Sequence, residues 1–168
     1  MTTTEAAGGA VGGAGEAPGA RPPEARQFDF WLGSWDLTWA PDGRGVNEVR
    51  SILDDRVILE SFDGRPAIPL AGMSVSVHDE AIGRWRQAWV DSAGGYLDFV
   101  GGLDGDRMVL GRTMTSGRRQ RMVWSEIEAE SLHWSWERSD DEGRTWTVAW
   151  AIEYRRRPLG GSSGPPGP

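Results

Sequence analysis

Three charged residues could carry acid–base chemistry, because each alternates with large apolar residues along a predicted β-strand. They are Glu60, Arg112 and Glu126. Side chains two positions apart on a strand point to the same face, so each charge shares a face with apolar neighbours. Burial disfavours the ionised form of a carboxyl group and raises its pKa, which suits a residue that transfers protons. If the protein is an enzyme, these three residues are the catalytic candidates.

Gln87 and Asp91 are two further polar residues on an apolar strand face, and the sequence allows two explanations for the whole group. In the first, buried arginine and carboxylate groups pair with one another, or the polar residues lie at strand ends near solvent. In the second, Glu60, Gln87 and Arg112 orient a ligand inside an otherwise apolar cavity. The sequence does not decide between the two explanations.

Aromatic residues would form the wall of such a cavity. The chain contains 10 tryptophans, and many are spaced two or four positions apart, which places them on one face of a strand. Trp31 and Trp35 are expected to close one end of the fold. The predicted ligand-binding residues are Trp85, Gln87, Trp89, Trp124, Trp134, Trp136 and Trp150. A cavity with these walls would hold a small hydrophobic or aromatic molecule.

Short runs rich in β-branched and aromatic residues, separated by turn residues, must position these side chains. They predict ten strands, and they predict a helical turn only between residues 26 and 32. The strands are expected near residues 34–40, 45–53, 56–62, 71–79, 83–91, 95–101, 106–115, 119–128, 131–139 and 144–156. Sequential strands joined by tight turns favour an all-β fold, an up-and-down antiparallel β-barrel of about 8–10 strands.

The composition bounds the folded domain and the classes of partner. Residues 1–26 and 158–168 are rich in Gly and Pro and are predicted to be disordered tails around a barrel that spans residues 27–157. The net charge of -7 argues against a nucleic-acid-binding protein. No apolar run is long enough to cross a membrane and no signal peptide is recognisable, so a cytoplasmic protein is expected.

Metal and cofactor chemistry are not expected from this sequence. The chain has no cysteine, and its two histidines, His78 and His133, are not accompanied by further ligands at suitable spacing. Motifs that bind phosphate groups or dinucleotides are also missing from the sequence.

The segment Ser139–Trp146 matches the pattern S-x-D-x-G-x-T-W. It resembles the Asp-box turn, in which Ser and Asp side chains accept hydrogen bonds from turn amides, Gly adopts a positive φ and Trp packs beneath. The motif therefore predicts a tight hairpin between the last two strands, with a structural role.

Several motifs together resemble a bacterial family of unknown function, DUF1579. The segment Phe28–Leu37 reads FDFWLGSWDL and is similar to the FDFWLG-x-W opening of that family. Glu60–Gly64 resembles its E-x-F-x-G segment, Gly72–Ser74 its G-x-S segment, and Trp85–Asp91 its W-x-Q-x-W-V-D segment. The closing hairpin, Trp136–Tyr154, is similar as well. The resemblance implies a lipocalin-like barrel of the calycin type and no defined activity.

Three functions are compatible with this sequence, and a small-molecule-binding barrel with an aromatic-lined cavity ranks first. The second is a cofactor-independent cyclase or isomerase of a natural-product biosynthetic pathway, in which carboxylates move protons and the cavity preorganises the substrate. The third is an interaction module that forms a homodimer through an exposed apolar strand face.

Overall fold

The structure, a computed structural model, describes residues 21–158 as a closed barrel of ten antiparallel strands. Each strand pairs with the next along the chain, and the last strand pairs with the first. The strands are β1 (Gly33–Trp39), β2 (Gly43–Ile52), β3 (Val57–Asp63), β4 (Ala71–Asp79), β5 (Arg84–Asp91), β6 (Tyr96–Asp104), β7 (Arg107–Thr113), β8 (Arg119–Ser125), β9 (Ser131–Ser139) and β10 (Thr147–Arg156). The predicted all-β, up-and-down barrel is confirmed.

Two short 3₁₀ helices, Pro23–Arg26 and Asp29–Trp31, precede β1. The second lies inside the segment where the sequence predicts a helical turn. Arg21, just before the first of these helices, forms an ion pair with Asp29 at 2.9 Å. The rest of the two predicted tails, residues 1–20 and 159–168, lies outside the described residues. Within residues 21–158, neither helix is long and apolar enough to cross a membrane.

Aromatic side chains from the N-terminal segment and β1 fill one end of the barrel. Phe28 stacks on Trp31 with ring centroids 5.0 Å apart, and it meets Trp124 of β8 edge-on at 4.9 Å. Trp35 donates its indole N–H to the carbonyl oxygen of Trp31 at 2.8 Å, and the guanidinium of Arg156 lies 4.1 Å from the Trp35 ring centroid. Trp31 and Trp35 are 1% and 0% exposed, so the prediction that they close one end is confirmed.

An irregularity in β10 changes which of its residues face the interior. The pairing of β10 with β9 shifts between Val148 and Trp150. A β-bulge of this kind adds one residue and reverses the alternation of the two faces. Val148 is consequently 54% exposed, whereas Trp150 packs against the core. Val148 therefore does not share the inner face with Trp150, although simple alternation along the strand would place both on one face.

The turn between β9 and β10 has the hydrogen bonds that the Asp-box pattern predicts. The Ser139 hydroxyl accepts from the amide of Gly143 at 2.8 Å, and the Asp141 carboxylate accepts from the amide of Thr145 at 2.9 Å. Gly143 has a φ of +88°, and Trp146 donates its indole N–H to the Gly143 carbonyl oxygen at 3.1 Å. Hydrogen bonds from the hydroxyl and amide of Thr145 lower the pKa of Asp141 to about 2. The motif is thus a structural hairpin.

Candidate functional site

A cavity of about 510 Å³ occupies the half of the barrel away from the two 3₁₀ helices. Trp124 forms its floor, because this ring lines the cavity and also packs against Phe28 and Trp31 of the closed end. Leu70 and Met114 belong to its rim and flank the β3–β4 and β7–β8 hairpins. Alternate hairpins of an up-and-down barrel lie at opposite ends, so the mouth is at the end remote from the N-terminal helices.

Five of the tryptophans that the sequence predicts as ligand-binding line this cavity. Along the β9–β10 pair the rings are cross-strand neighbours, since Trp136 is opposite Trp150. Trp134 meets Trp150 edge-on, with ring centroids 5.6 Å apart and an interplanar angle of 87°, and Phe99 meets Trp136 at 5.7 Å and 85°. Such edge-to-face contacts are favourable arrangements of aromatic quadrupoles, so the rings hold one another in place. The five tryptophans of the wall are Trp89, Trp124, Trp134, Trp136 and Trp150.

Glu60 of β3 is the buried carboxyl group of the cavity wall, and only 6% of the residue is exposed. It accepts hydrogen bonds from the Asn47 amide at 2.8 Å and from the Ser74 hydroxyl at 2.6 Å. Burial raises the pKa of Glu60 to about 7, although the hydrogen bonds from Ser74 and Asn47 oppose this rise. Glu60 can therefore take up or release a proton near neutral pH.

Asn47, Ser74 and Tyr154 complete the polar network around Glu60, and the sequence does not predict them as site residues. Asn47 donates to the Tyr154 hydroxyl at 3.3 Å, across 107 positions of chain, because β1 bridges β2 and β10 in the closed barrel. Burial also raises the pKa of the Tyr154 phenol, so this group stays protonated. The available signal for Asn47 was its spacing of two from Val49, which places both side chains on the inner face of β2.

Arg112 of β7 also lines the cavity, and its guanidinium carbon lies 5.8 Å from the ring centroid of Phe99. Its Nε and Nη1 atoms are buried and have no hydrogen-bond partner within residues 21–158. The ion pairs found in this part of the chain do not include Arg112. Glu60 and Arg112 therefore do not form an internal ion pair, which was the first explanation that the sequence allows.

Asp91, in contrast, fits the explanation by position at a strand end. It is the last residue of β5 and accepts hydrogen bonds from the amides of Gly95 and Ala93, each at 2.9 Å. It also accepts from the Trp89 indole N–H at 3.0 Å. The bond from Gly95 contributes most to the lowered pKa of Asp91. This carboxylate organises the β5–β6 turn and fixes Trp89 in the cavity wall.

Three residues predicted for the site lie elsewhere in the fold. Glu126 is exposed and has a φ of +49°, since β8 ends before it and the alternation of faces does not continue. Its assignment to an apolar inner face is wrong, and Glu126 does not line the cavity. Trp85 is 1% exposed and packs against Phe28 of the closed end at 5.3 Å. Gln87 is 3% exposed and donates to the Ser76 hydroxyl at 2.9 Å, and neither residue lines the cavity.

The histidines are separated from the cavity and from each other. His133 on the outer wall contacts Glu153 at 2.8 Å, and His78 packs edge-on against Trp85 with ring centroids 5.7 Å apart. Across residues 21–158, His, Cys, Asp and Glu side chains form no group of three or more that could hold a metal ion.

No family model matches the chain, and no curated protein matches it. The resemblance to DUF1579 is thereby neither supported nor contradicted. The functional conclusion must come from the geometry of the cavity.

Proposed function

We propose that the protein binds a small apolar or aromatic molecule inside the barrel. The observation that carries this proposal is the cavity of about 510 Å³ with five tryptophans in its wall. Ligand pockets of globular proteins have volumes of roughly 300–1,000 Å³ and are lined mainly by apolar and aromatic side chains. Transfer of an apolar ligand from water to such a wall is favourable, because apolar surface is removed from water on both partners.

The neutral dye N-phenyl-1-naphthylamine provides the test, since its fluorescence rises in apolar surroundings and it quenches tryptophan by energy transfer. Ala149 lines the cavity near its mouth, so Ala149→Phe should fill part of the space. We expect dye binding by the wild type and at least about ten-fold weaker binding by Ala149→Phe, a loss of about 1.4 kcal/mol.

Val148→Phe is the matched control, because Val148 is the preceding residue and is 54% exposed on the outer surface. It should bind the dye as the wild type does. The proposal is contradicted if the wild type does not bind the dye, or if Ala149→Phe binds it with unchanged affinity.

Acid–base catalysis is the second candidate function, and Glu60 is the observation that favours it. A general acid or base works best when its pKa is near the ambient pH, and the pKa of Glu60 is about 7. A cofactor-independent cyclase or isomerase would use Glu60 to move a proton, Arg112 to stabilise developing negative charge, and the aromatic wall to preorganise a linear substrate.

Conversion of a linear precursor by the wild type, followed by mass spectrometry, tests this candidate. Glu60→Gln should abolish the conversion, whereas Glu126→Gln should retain it, because Glu126 is exposed outside the cavity. Dye binding without conversion would leave the first proposal standing and remove the second.

Membership of the DUF1579 family remains a proposal on sequence motifs. It is supported by the position of the opening motif, Phe28–Leu37, whose aromatic residues include Phe28, Trp31 and Trp35 of the closed end. A lipocalin-like barrel would use such a motif to plug the end opposite its ligand.

A further inference from the structure

The cavity wall contains buried cationic donors without a protein partner. Arg112 Nε and Nη1 are shielded from solvent, and residues 21–158 offer no acceptor for their N–H groups. The guanidinium carbon lies 5.8 Å from the centroid of the Phe99 ring. A cation above an aromatic ring is stabilised by the ring quadrupole, but its N–H groups remain without acceptors. Burial of these donors without acceptors is therefore unfavourable.

The two strands that follow Arg112 along the barrel wall place further N–H donors near the mouth of the cavity. Gln120 of β8 is opposite Arg112, and Arg138 of β9 is opposite Gln120. All three residues line the cavity, so neighbouring positions on three adjacent strands supply guanidinium and amide N–H donors.

The two carboxyl groups of the cavity lie on other strands and have donors of their own. Glu60 on β3 accepts from Asn47 and Ser74, and Asp91 on β5 accepts from Trp89 and from two amides of the β5–β6 turn. Neither carboxyl group is bonded to Arg112, so the guanidinium is left available to an occupant of the cavity.

We propose that the natural ligand carries a carboxylate group, which Arg112 binds while the tryptophan wall encloses the apolar or aromatic part of the same molecule. This inference rests on the proposed binding function and specifies its ligand class. A guanidinium can donate two parallel N–H bonds to a carboxylate, and these charge-assisted bonds are stronger than neutral ones. A neutral apolar ligand would displace solvent from the cavity and still leave the Arg112 donors unsatisfied.

A pair of probes of equal shape separates charge recognition from apolar binding: 2-naphthoate and its neutral analogue 2-naphthamide. Calorimetric titration at pH 6 keeps the naphthoate ionised and stays below the pKa of Glu60, which is about 7. We expect the wild type to bind 2-naphthoate at least about ten-fold more tightly than 2-naphthamide. Arg112→Met should lose this preference by weakening naphthoate binding, with naphthamide binding little changed.

Arg107→Met is the matched control, because Arg107 lies on the same strand but bonds to Asp104 outside the cavity. It should retain the wild-type preference for naphthoate. Arg112→Gln, which keeps an amide at this position, provides a second variant of intermediate size and should also lose most of the preference.

The outcomes distinguish the inference of a carboxylate ligand from the proposed binding function on which it rests. Equal binding of the two probes by the wild type overturns the carboxylate inference and leaves the small-molecule-binding proposal intact. Retention of the naphthoate preference in both Arg112 variants also overturns it, because another group must then recognise the anion. Failure of the wild type to bind either naphthalene probe or the neutral dye overturns the inference together with the proposed function.

Discussion

Replacement of Glu60 by glutamine should change how the free energy of unfolding depends on pH. The direction of the change follows from the burial of the carboxyl group. The pKa of Glu60 rises from 4.5, its value in an exposed chain, to about 7 in the folded barrel. Between these two values the folded state holds a proton that the unfolded state has released. The free energy of unfolding of the wild type therefore falls as the pH rises from 4.5 to 7, and it is constant with respect to this group outside that window.

The magnitude follows from the size of the pKa change. A tenfold change in an acid dissociation constant corresponds to about 1.36 kcal/mol, so a pKa rise from 4.5 to about 7 corresponds to about 3 kcal/mol. The ionisation of Glu60 should thus cost about 3 kcal/mol of stability between pH 4 and pH 8. Glutamine has the same shape and no proton to lose, and its amide can bond to both Asn47 and Ser74. Glu60→Gln should gain about 3 kcal/mol relative to the wild type across this range.

Urea unfolding at pH 4, 5, 6, 7 and 8, followed by tryptophan fluorescence, measures the difference directly. The lowered pKa values of Asp63, Asp91 and Asp141 drive stability in the opposite direction, but they are common to both proteins and cancel in the difference. Glu126→Gln is the control, because it makes the same substitution at an exposed carboxyl group outside the cavity. A flat difference for Glu60→Gln would refute the assignment of a proton to Glu60 at neutral pH.

Three further predictions concern Arg112, the hairpin turn and the outer surface. Arg112→Met should raise the free energy of unfolding by about 1 kcal/mol in the absence of ligand, because it removes unsatisfied buried donors; a thermal melt with a lower midpoint would contradict this. Ser139→Ala should cost about 1 kcal/mol in urea unfolding, since the Gly143 amide loses its acceptor, and unchanged stability would show that water replaces the hydroxyl. Met73 and Val90 are cross-strand neighbours on the outer surface and are 46% and 49% exposed. If the protein forms a homodimer through this apolar face, size-exclusion chromatography should show a dimer whose fraction rises with protein concentration and which Met73→Glu abolishes. A monomer at every concentration would exclude the homodimer.

The strands and the inner position of Glu60 could be predicted because their signals are local. Alternation of large apolar residues with small or polar ones defines a strand face within a few positions, and turn residues mark where each strand stops. Glu60 alternates with Ile58 and Phe62 inside a strand, so its direction follows from its neighbours. The Asp-box turn is predictable for the same reason, because all of its hydrogen bonds lie within Ser139–Trp146.

The errors arise where alternation is interrupted or where distant segments meet. The bulge in β10 moves Val148 to the outer face, and the end of β8 removes Glu126 from the pattern. The sequence also does not reveal which inner residues are packed against others and which line the cavity. Trp85 and Trp89 share a face of β5, but Phe28 covers only Trp85, since the N-terminal segment occupies one end of the barrel.

The proposed preference for an anionic occupant follows from the different chemistry of Glu60 and Arg112. Glu60 can relieve the cost of burial by holding a proton, because its pKa is about 7 and its hydrogen bonds are supplied by the protein. An arginine guanidinium, in contrast, keeps its charge in proteins. The negative charge that neutralises the Arg112 guanidinium must therefore come from a molecule that enters the cavity. In the register of β7 and β8, Arg112 lies opposite Gln120, four positions nearer the mouth than the pair of Met108 with Trp124. A molecule with an aromatic body over Trp124 and an acid group at Arg112 would satisfy both features at once, and this is why an aromatic acid is a better candidate than a neutral hydrocarbon.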